Sequence, residues 1–167
     1  MSGWKGGAIA WLERLLKRKV FWVICQIHTN ELPFCHLIQI IDGKTSSKDG
    51  FSGPIGKKLF EVNFMDSHLR FPPVPLLQPL MKIPGNVISK MSTDSALSYK
   101  LVEALSQGEM TPELASMKSG PLCHIRWLTT GVAIMFLWTS NHGFTGEIFD
   151  KLKDIVTFVV QVYFPMF

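Results

Sequence analysis

Cysteine and histidine are the residues whose spacing comes nearest to a chemical site. Cys25 and His28 lie three positions apart, so on a helix both side chains project from the same face. A tetrahedral metal ion would need two further ligands, and the adjacent Cys-His pairs at 35–36 and 123–124 are poorly spaced to supply them. We therefore predict no metal site, and we expect Cys25 and His28 to be a buried structural pair.

The acidic residues do not form a catalytic set. Each aspartate from Asp42 to Asp94 lies in a predicted loop or helix cap, where aspartate is a common turn former. Glu147 and Asp150 lie at a predicted helix start, where negative charge complements the helix dipole. Neither a triad of metal-binding carboxylates nor a Ser/His/Asp arrangement can be assigned, so no catalytic residue is predicted.

A basic run near the amino end is the first candidate for nucleic-acid contact. It consists of Arg14, Lys17, Arg18 and Lys19, close to Trp11 and Trp22. Such a patch suits a phosphate backbone, because lysine and arginine displace its condensed counterions. The solvated carboxyl end of a helix accounts for the same run, and we favour it because four charges make a small patch.

Composition limits the class of protein. The chain has 167 residues, 47% of them apolar, enough for one sizeable core. Only 18% are charged, against about 25% in a typical soluble domain, so part of the surface is expected to face a second copy or a flanking segment; a single domain that is simply rich in apolar residues is the alternative. Three cysteines argue against a disulfide framework and for an intracellular, reducing compartment. The apolar runs are shorter than the roughly 20 residues that span a bilayer, so no membrane association is predicted.

Apolar periodicity predicts a mostly α fold. Residues 42–85 are rich in proline and glycine and are predicted to be a connector between a helical segment, 1–41, and a second helical region, 86–167. The predicted helices cover residues 6–17, 20–40 (kinked or split at Pro33), a stretch capped by Ser92 or Thr93 and ended by Gly108, a short helix opened by Thr111-Pro112-Glu113, residues 126–138, and residues 147–164.

One glycine-flanked string invites comparison with a phosphate-binding loop. Gly53-Pro54-Ile55-Gly56-Lys57 lacks the longer loop, and its lysine is followed by Lys58 rather than by serine or threonine. We therefore expect a tight turn at this position.

Two motifs resemble those of hAT-type transposases, cut-and-paste enzymes built on an RNase H-like core. The strings are Cys25-Gln26-Ile27-His28-Thr29-Asn30-Glu31-Leu32, similar to the C-x-x-H helix, and His124-Ile125-Arg126-Trp127-Leu128-Thr129-Thr130, similar to the Arg-Trp helix. The first resemblance implies that His28 orients or polarises a metal-binding carboxylate. The second implies that Trp127 holds a displaced base by stacking, with a core tryptophan as the alternative.

A longer resemblance is to a group of transposon-derived invertebrate proteins. The matching strings are Gly3-Trp4-Lys5-Gly6-Gly7, His28-Thr29-Asn30-Glu31-Leu32-Pro33, Asp42-Gly43-Lys44-Thr45, Phe51-Ser52-Gly53-Pro54-Ile55-Gly56-Lys57, Ser92-Thr93-Asp94, Arg126-Trp127-Leu128-Thr129-Thr130 and Val162-Tyr163-Phe164-Pro165. Two residues depart from that pattern, Cys35 in place of arginine and Gly131 in place of alanine.

The resemblance implies an internal fragment of a transposase-like protein. Its first part would be a helical piece of the RNase H-like core, and its last part would belong to the all-α insertion domain. The family's chemistry is phosphoryl transfer on DNA with Mg²⁺ or Mn²⁺ held by three carboxylates. Glu13 is the single acid before His28, so we expect an inactive, cofactor-free fragment, nuclear if functional, with DNA as a candidate partner. A domesticated interaction module and the product of a decayed element are the alternatives.

Overall fold

Helices dominate the computed structural model, which describes residues 8–19, 26–46, 50–59, 61, 69–119, 127–140 and 143–166. The predicted mostly α fold is confirmed. The helices are α1 (Ala8–Leu16), α2 (Gln26–Ile41), α3 (Pro54–Lys58), α4 (Gly85–Ile88), α5 (Thr93–Gln107), α6 (Pro112–Ala115), α7 (Trp127–Ser140) and α8 (Gly146–Phe158). A π-helical segment (Val159–Tyr163) and a 3₁₀ turn (Phe164–Met166) extend α8. Strands β1 (Thr45–Ser46) and β2 (Gly50–Phe51) pair antiparallel.

Local capping residues set the ends of α5 and α6. The Ser92 hydroxyl accepts a hydrogen bond from the Ser95 amide at 3.2 Å, and Gly108 ends α5 in the left-handed conformation at φ 77°. Thr111 caps α6 in the same way, and Pro112 occupies the first helical position. These predicted boundaries are confirmed, because each depends on residues within one turn of the helix end.

Pro33 is predicted to kink or split the second helix, and of these the split is wrong, because α2 runs from Gln26 to Ile41 with Pro33 inside it. An interior proline costs a helix about 3 kcal/mol. Phe34 and Ile38, which follow it, are 0% and 1% exposed, and burying two such side chains contributes about 3–6 kcal/mol. Tertiary packing therefore outweighs the local preference.

The centre of the fold is α7, in which every residue from Thr129 to Ser140 is buried. A helix that is apolar on all sides needs neighbours all round, and α2, α5 and α8 pack against it. The packing around α7 does not explain why residue 131 is glycine where the resembling proteins have alanine. A Cβ atom there would meet Tyr163, Val159 and Phe34 at 3.4–3.7 Å, which is ordinary contact.

The proline-rich stretch packs more closely than a connector was expected to pack. Phe51, Ile55, Leu59 and Val74 belong to the same hydrophobic cluster as the residues of α2, α5, α7 and α8. Its backbone also forms a hydrogen bond with α7, because the Trp138 indole donates to the Pro72 carbonyl at 2.9 Å. All three predicted segments thus contribute to one core, and their division into domains stays a prediction.

Within the described residues, none of the helices combines the length and the apolar character that crossing a membrane requires.

Candidate functional site

The basic run lies at the carboxyl end of α1. Arg14 is in its last turn, and Lys17, with φ 51°, leads out of the helix into Arg18 and Lys19; all four are exposed. Lys19 forms an ion pair with Glu13 at 3.2 Å, and a surface pair of this kind contributes little to stability. The expected helix end is therefore found, and the same residues present positive charge to solvent.

The apolar face of α1 points away from the described part of the protein. Trp11 and Leu15 are 64% and 63% exposed, and Leu12 and Leu16 are exposed beside them. The side of the helix that is covered carries Ala10, which is buried, and Glu13. An amphipathic helix normally buries its apolar face. The exposed apolar face of α1 is therefore a candidate contact surface for another molecule or segment.

Trp127 begins α7 and is 7% exposed. Its ring meets Phe34 edge to face at a centroid distance of 5.5 Å and Phe51 at 6.1 Å. Phe34 also contacts Tyr163, with 4.7 Å between the ring centroids. Such aromatic pairs contribute about 0.5–1.5 kcal/mol each beyond the area they bury. This position favours the packing role for Trp127, and its stacking role stays a prediction; Arg126 lies outside the described residues.

The Cys25–His28 pair is described in part. His28 lies in the first turn of α2, but its side chain and the whole of Cys25 lie outside the described residues. One turn further, Glu31 is 6% exposed, and burial together with the negative charge of Glu31 raises the pKa of Tyr163. The carboxyl end of the His28–Pro33 string thus lies close to the Val162–Pro165 string.

The Gly53–Lys57 string, which resembles a phosphate loop, binds the side-chain carboxylate of Asp42 from the same chain. Oδ1 of the buried Asp42 accepts a hydrogen bond from the Ile55 amide at 3.0 Å, and Oδ2 accepts one from the Gly56 amide at 2.7 Å. These amides belong to the first turn of α3, where negative charge is favoured. Burial raises the pKa of Asp42, while the two amides and the charges of Lys151 and Lys57 oppose that shift.

The backbone of Asp42 lies so close to Gly53 that only glycine fits at position 53. A Cβ atom on Gly53 would lie 1.6 Å from the Asp42 carbonyl oxygen, which real structures do not allow. The sequence was expected to form a turn here, and α3 is a short helix whose first turn binds Asp42. Sequence reasoning treated Asp42 as an ordinary turn residue; the available signal was an Asp-Gly pair shortly before a Gly-Pro helix start.

Five of the seven strings that carry the family resemblance interact with one another in the described structure. Asp42 joins the string at 42–45 to the string at 51–57, Trp127 packs on Phe51, and Glu31 acts on Tyr163. In the described residues these contacts are part of the packing that holds the fold together.

Metal ligands are not gathered anywhere in the described ranges: no three of their His, Cys, Asp and Glu side chains could hold one ion. Asp42 is engaged by backbone amides, and Glu13 is paired on the surface. The residues that the structure describes therefore do not fit the two-metal centre of the transposase family.

Comparison with known protein families, with curated proteins and with solved structures gave no match.

Proposed function

We propose that this chain is the helical, non-catalytic part of a transposase-like protein and that it contacts DNA through the basic end of α1. The observation that carries the proposal is the exposed run Arg14–Lys19 next to the exposed ring of Trp11. Lysine and arginine at a helix end neutralise phosphates without regard to sequence. An exposed indole beside them offers a surface on which an unpaired base can stack.

The family resemblance supports DNA as the partner, and the arrangement of acids supports the lack of catalysis. Phosphoryl transfer would need carboxylates that orient two cations. The Asp42 carboxylate accepts hydrogen bonds from the backbone of α3, and the described part of the chain holds no cluster of three His, Cys, Asp or Glu side chains that could bind one ion. Binding without cleavage is the activity that remains for this chain by itself.

Salt-dependent DNA binding tests the proposal. A labelled hairpin DNA is titrated with the protein at several salt concentrations, followed by fluorescence anisotropy. The double variant Lys17→Gln/Arg18→Gln is expected to reduce the slope of log affinity against log salt by about 1–2, because each phosphate contact contributes about 0.9. Lys90→Gln/Lys118→Gln removes the same charge from other exposed positions and should leave the slope unchanged.

Two results would count against the proposal. An equal loss in both double variants would show a response to net charge alone, with no site at α1. Cleavage of the DNA in Mg²⁺ or Mn²⁺, abolished by changing a single aspartate, would show that the chain is an enzyme.

A second candidate function, association with a second copy or a flanking segment, is supported by the exposed apolar face of α1. Concentration-dependent sedimentation that disappears in Leu15→Glu is the expected result for self-association. A monomer at all concentrations would remove the second copy as a partner.

A further inference from the structure

A cleft of about 550 Å³ is lined by residues outside α1 and outside the Asp42 contact with α3. Its outer wall is the proline-containing segment from Leu76 to Ile83, which we call the strap. Its inner wall comes from α5, α7 and the helical turns after α8, through Tyr99, Leu128, Val160 and Phe164. The volume falls in the range of sites for small molecules, about 300–1,000 Å³.

Hydrogen bonds hold the strap in position, so the cleft is built rather than a gap between loose segments. The Tyr99 hydroxyl donates to the Met81 carbonyl at 3.2 Å and accepts from the Ile83 amide at 3.3 Å. Next to the strap, the Gln161 amide donates to the Pro75 carbonyl at 2.6 Å. Both ends of the outer wall are therefore tied to the inner wall.

The lining decides which chemistry the cleft can accept. None of the lining residues that the structure describes carries a charged side chain. Leucine, methionine, valine, phenylalanine and proline dominate, with Ser95, Gln78, Gln161 and Tyr99 as the polar members. A charged ligand would lose its hydration here without gaining a partner, whereas a neutral apolar one gains from burial.

Part of the inner wall of the cleft is π-helical rather than α-helical. Val160 and Gln161 lie in the π-helical segment, and the Phe164 amide donates to the Val159 carbonyl five residues earlier. Single π turns are uncommon and frequently occur at functional sites. The wider turn supplies two of the residues that line the cleft.

We propose that this cleft is a binding site for a neutral, largely apolar small molecule, with the strap as its outer wall. Apolar contacts supply the affinity, and the polar side chains at positions 95 and 161 supply a small hydrogen-bonding contribution. The site is independent of DNA contact at α1.

Two matched probes test the proposal. N-phenyl-1-naphthylamine is neutral, and 8-anilino-1-naphthalenesulfonate is the same ring system with an added negative charge. Fluorescence titration of the full chain is expected to give saturable 1:1 binding of the neutral probe. The anionic probe should bind about tenfold or more weakly, because no cationic side chain is among the described residues that line the cleft.

Two tryptophan substitutions on α5 locate the probe. Ser95→Trp places a large ring in the cleft and should weaken binding of the neutral probe by about tenfold or more. Ser106→Trp makes the same change on the same helix, at a residue that does not line the cleft, and should leave binding unchanged. Near-ultraviolet circular dichroism confirms that each variant keeps its native packing.

Three outcomes would overturn the proposal. One is equal affinity for the anionic and the neutral probe. Another is binding that survives Ser95→Trp and disappears in Leu15→Glu, which would place the probe on α1. The third is absence of saturable binding to the natively packed protein.

Discussion

Two tryptophans in this chain have similar neighbours in sequence and opposite positions in the fold. Trp11 precedes Arg14 and Lys17, and Trp127 follows Arg126. Trp11 is 64% exposed, whereas Trp127 is 7% exposed between Phe34 and Phe51. An arginine beside a tryptophan therefore does not by itself indicate a nucleic-acid surface.

The two tryptophans differ because the rest of the chain supplies packing partners for Trp127 but not for Trp11 in the described structure. Phe34 from α2 and Phe51 from β2 supply two edge-to-face partners for Trp127, and burial of such a ring is strongly favourable. For α1, the covered side carries Ala10, and the apolar side has no such cover in the described structure. Accordingly, packing explains the position of Trp127, and the intermolecular contact is proposed for the surface around Trp11.

The largest expected effect is the loss of stability when each tryptophan is truncated. Trp127→Ala should lower the free energy of unfolding by about 3–5 kcal/mol, because it leaves a cavity in the core. Trp11→Ala should change it by about 0.5 kcal/mol or less, because the ring is mostly exposed. Urea denaturation of both variants gives the two values. Similar losses in the two variants would remove the distinction between a buried and an exposed tryptophan.

The next effect tests the contact between the strings at 42–45 and 51–57. Gly53→Ala should destabilise the protein by about 1–3 kcal/mol or more, because its Cβ atom would collide with the backbone of Asp42. Gly85→Ala is the matched control: a Cβ atom there meets nothing within 4 Å, so the change should be neutral or slightly stabilising. Thermal melts of both variants provide the measurement, and an unaffected Gly53→Ala would contradict the close approach.

The sequence predicts those features of the fold that depend on residues close together in the chain. Ser92, Gly108 and Thr111 act on backbone groups within a turn, and their effects were predicted. For Pro33 the sequence left a kink and a split as alternatives, and it could not decide between them because the continuity of α2 depends on where Phe34 and Ile38 pack. Local preference is decisive only where packing does not oppose it.

The same limit applies to the candidate sites. Periodicity predicts that α1 is amphipathic but not which of its faces meets the protein. The bond from the Gly56 amide to Asp42 joins residues 14 positions apart, beyond the reach of turn rules. The cleft is assembled from four separate parts of the chain, so no single motif indicates it. The transposase origin was inferred from motif strings, and it stays a prediction.

A smaller effect is the pH dependence of stability that Asp42 contributes. Because burial raises its pKa, the folded protein holds this proton more tightly than the unfolded chain does. The resulting stabilisation is complete below the ordinary pKa of 3.8 and is lost as the pH rises through the raised value. Asp42→Asn puts an amide donor in place of one of the two accepting oxygens, so it should cost about 1–3 kcal/mol, the range for a buried donor left without a partner, and should abolish this pH-dependent component.

Urea denaturation of wild type and Asp42→Asn from about pH 3 to pH 6 measures that component. The stability of wild type relative to the variant should decrease as the pH rises. An increase would show that the amides of Ile55 and Gly56, with the nearby lysines, outweigh burial at this carboxyl group.

The central proposal is that DNA binds at the α1 surface, while the buried Trp127 packs in the core. The most direct test is a salt-dependent DNA titration of Trp127→Phe beside Lys17→Gln/Arg18→Gln, because phenylalanine keeps an aromatic ring between Phe34 and Phe51 and allows the variant to fold. We predict wild-type affinity and salt slope for Trp127→Phe and a reduced slope for the double variant. Weakened binding by a fully folded Trp127→Phe, with an unchanged slope in Lys17→Gln/Arg18→Gln, would contradict the claim.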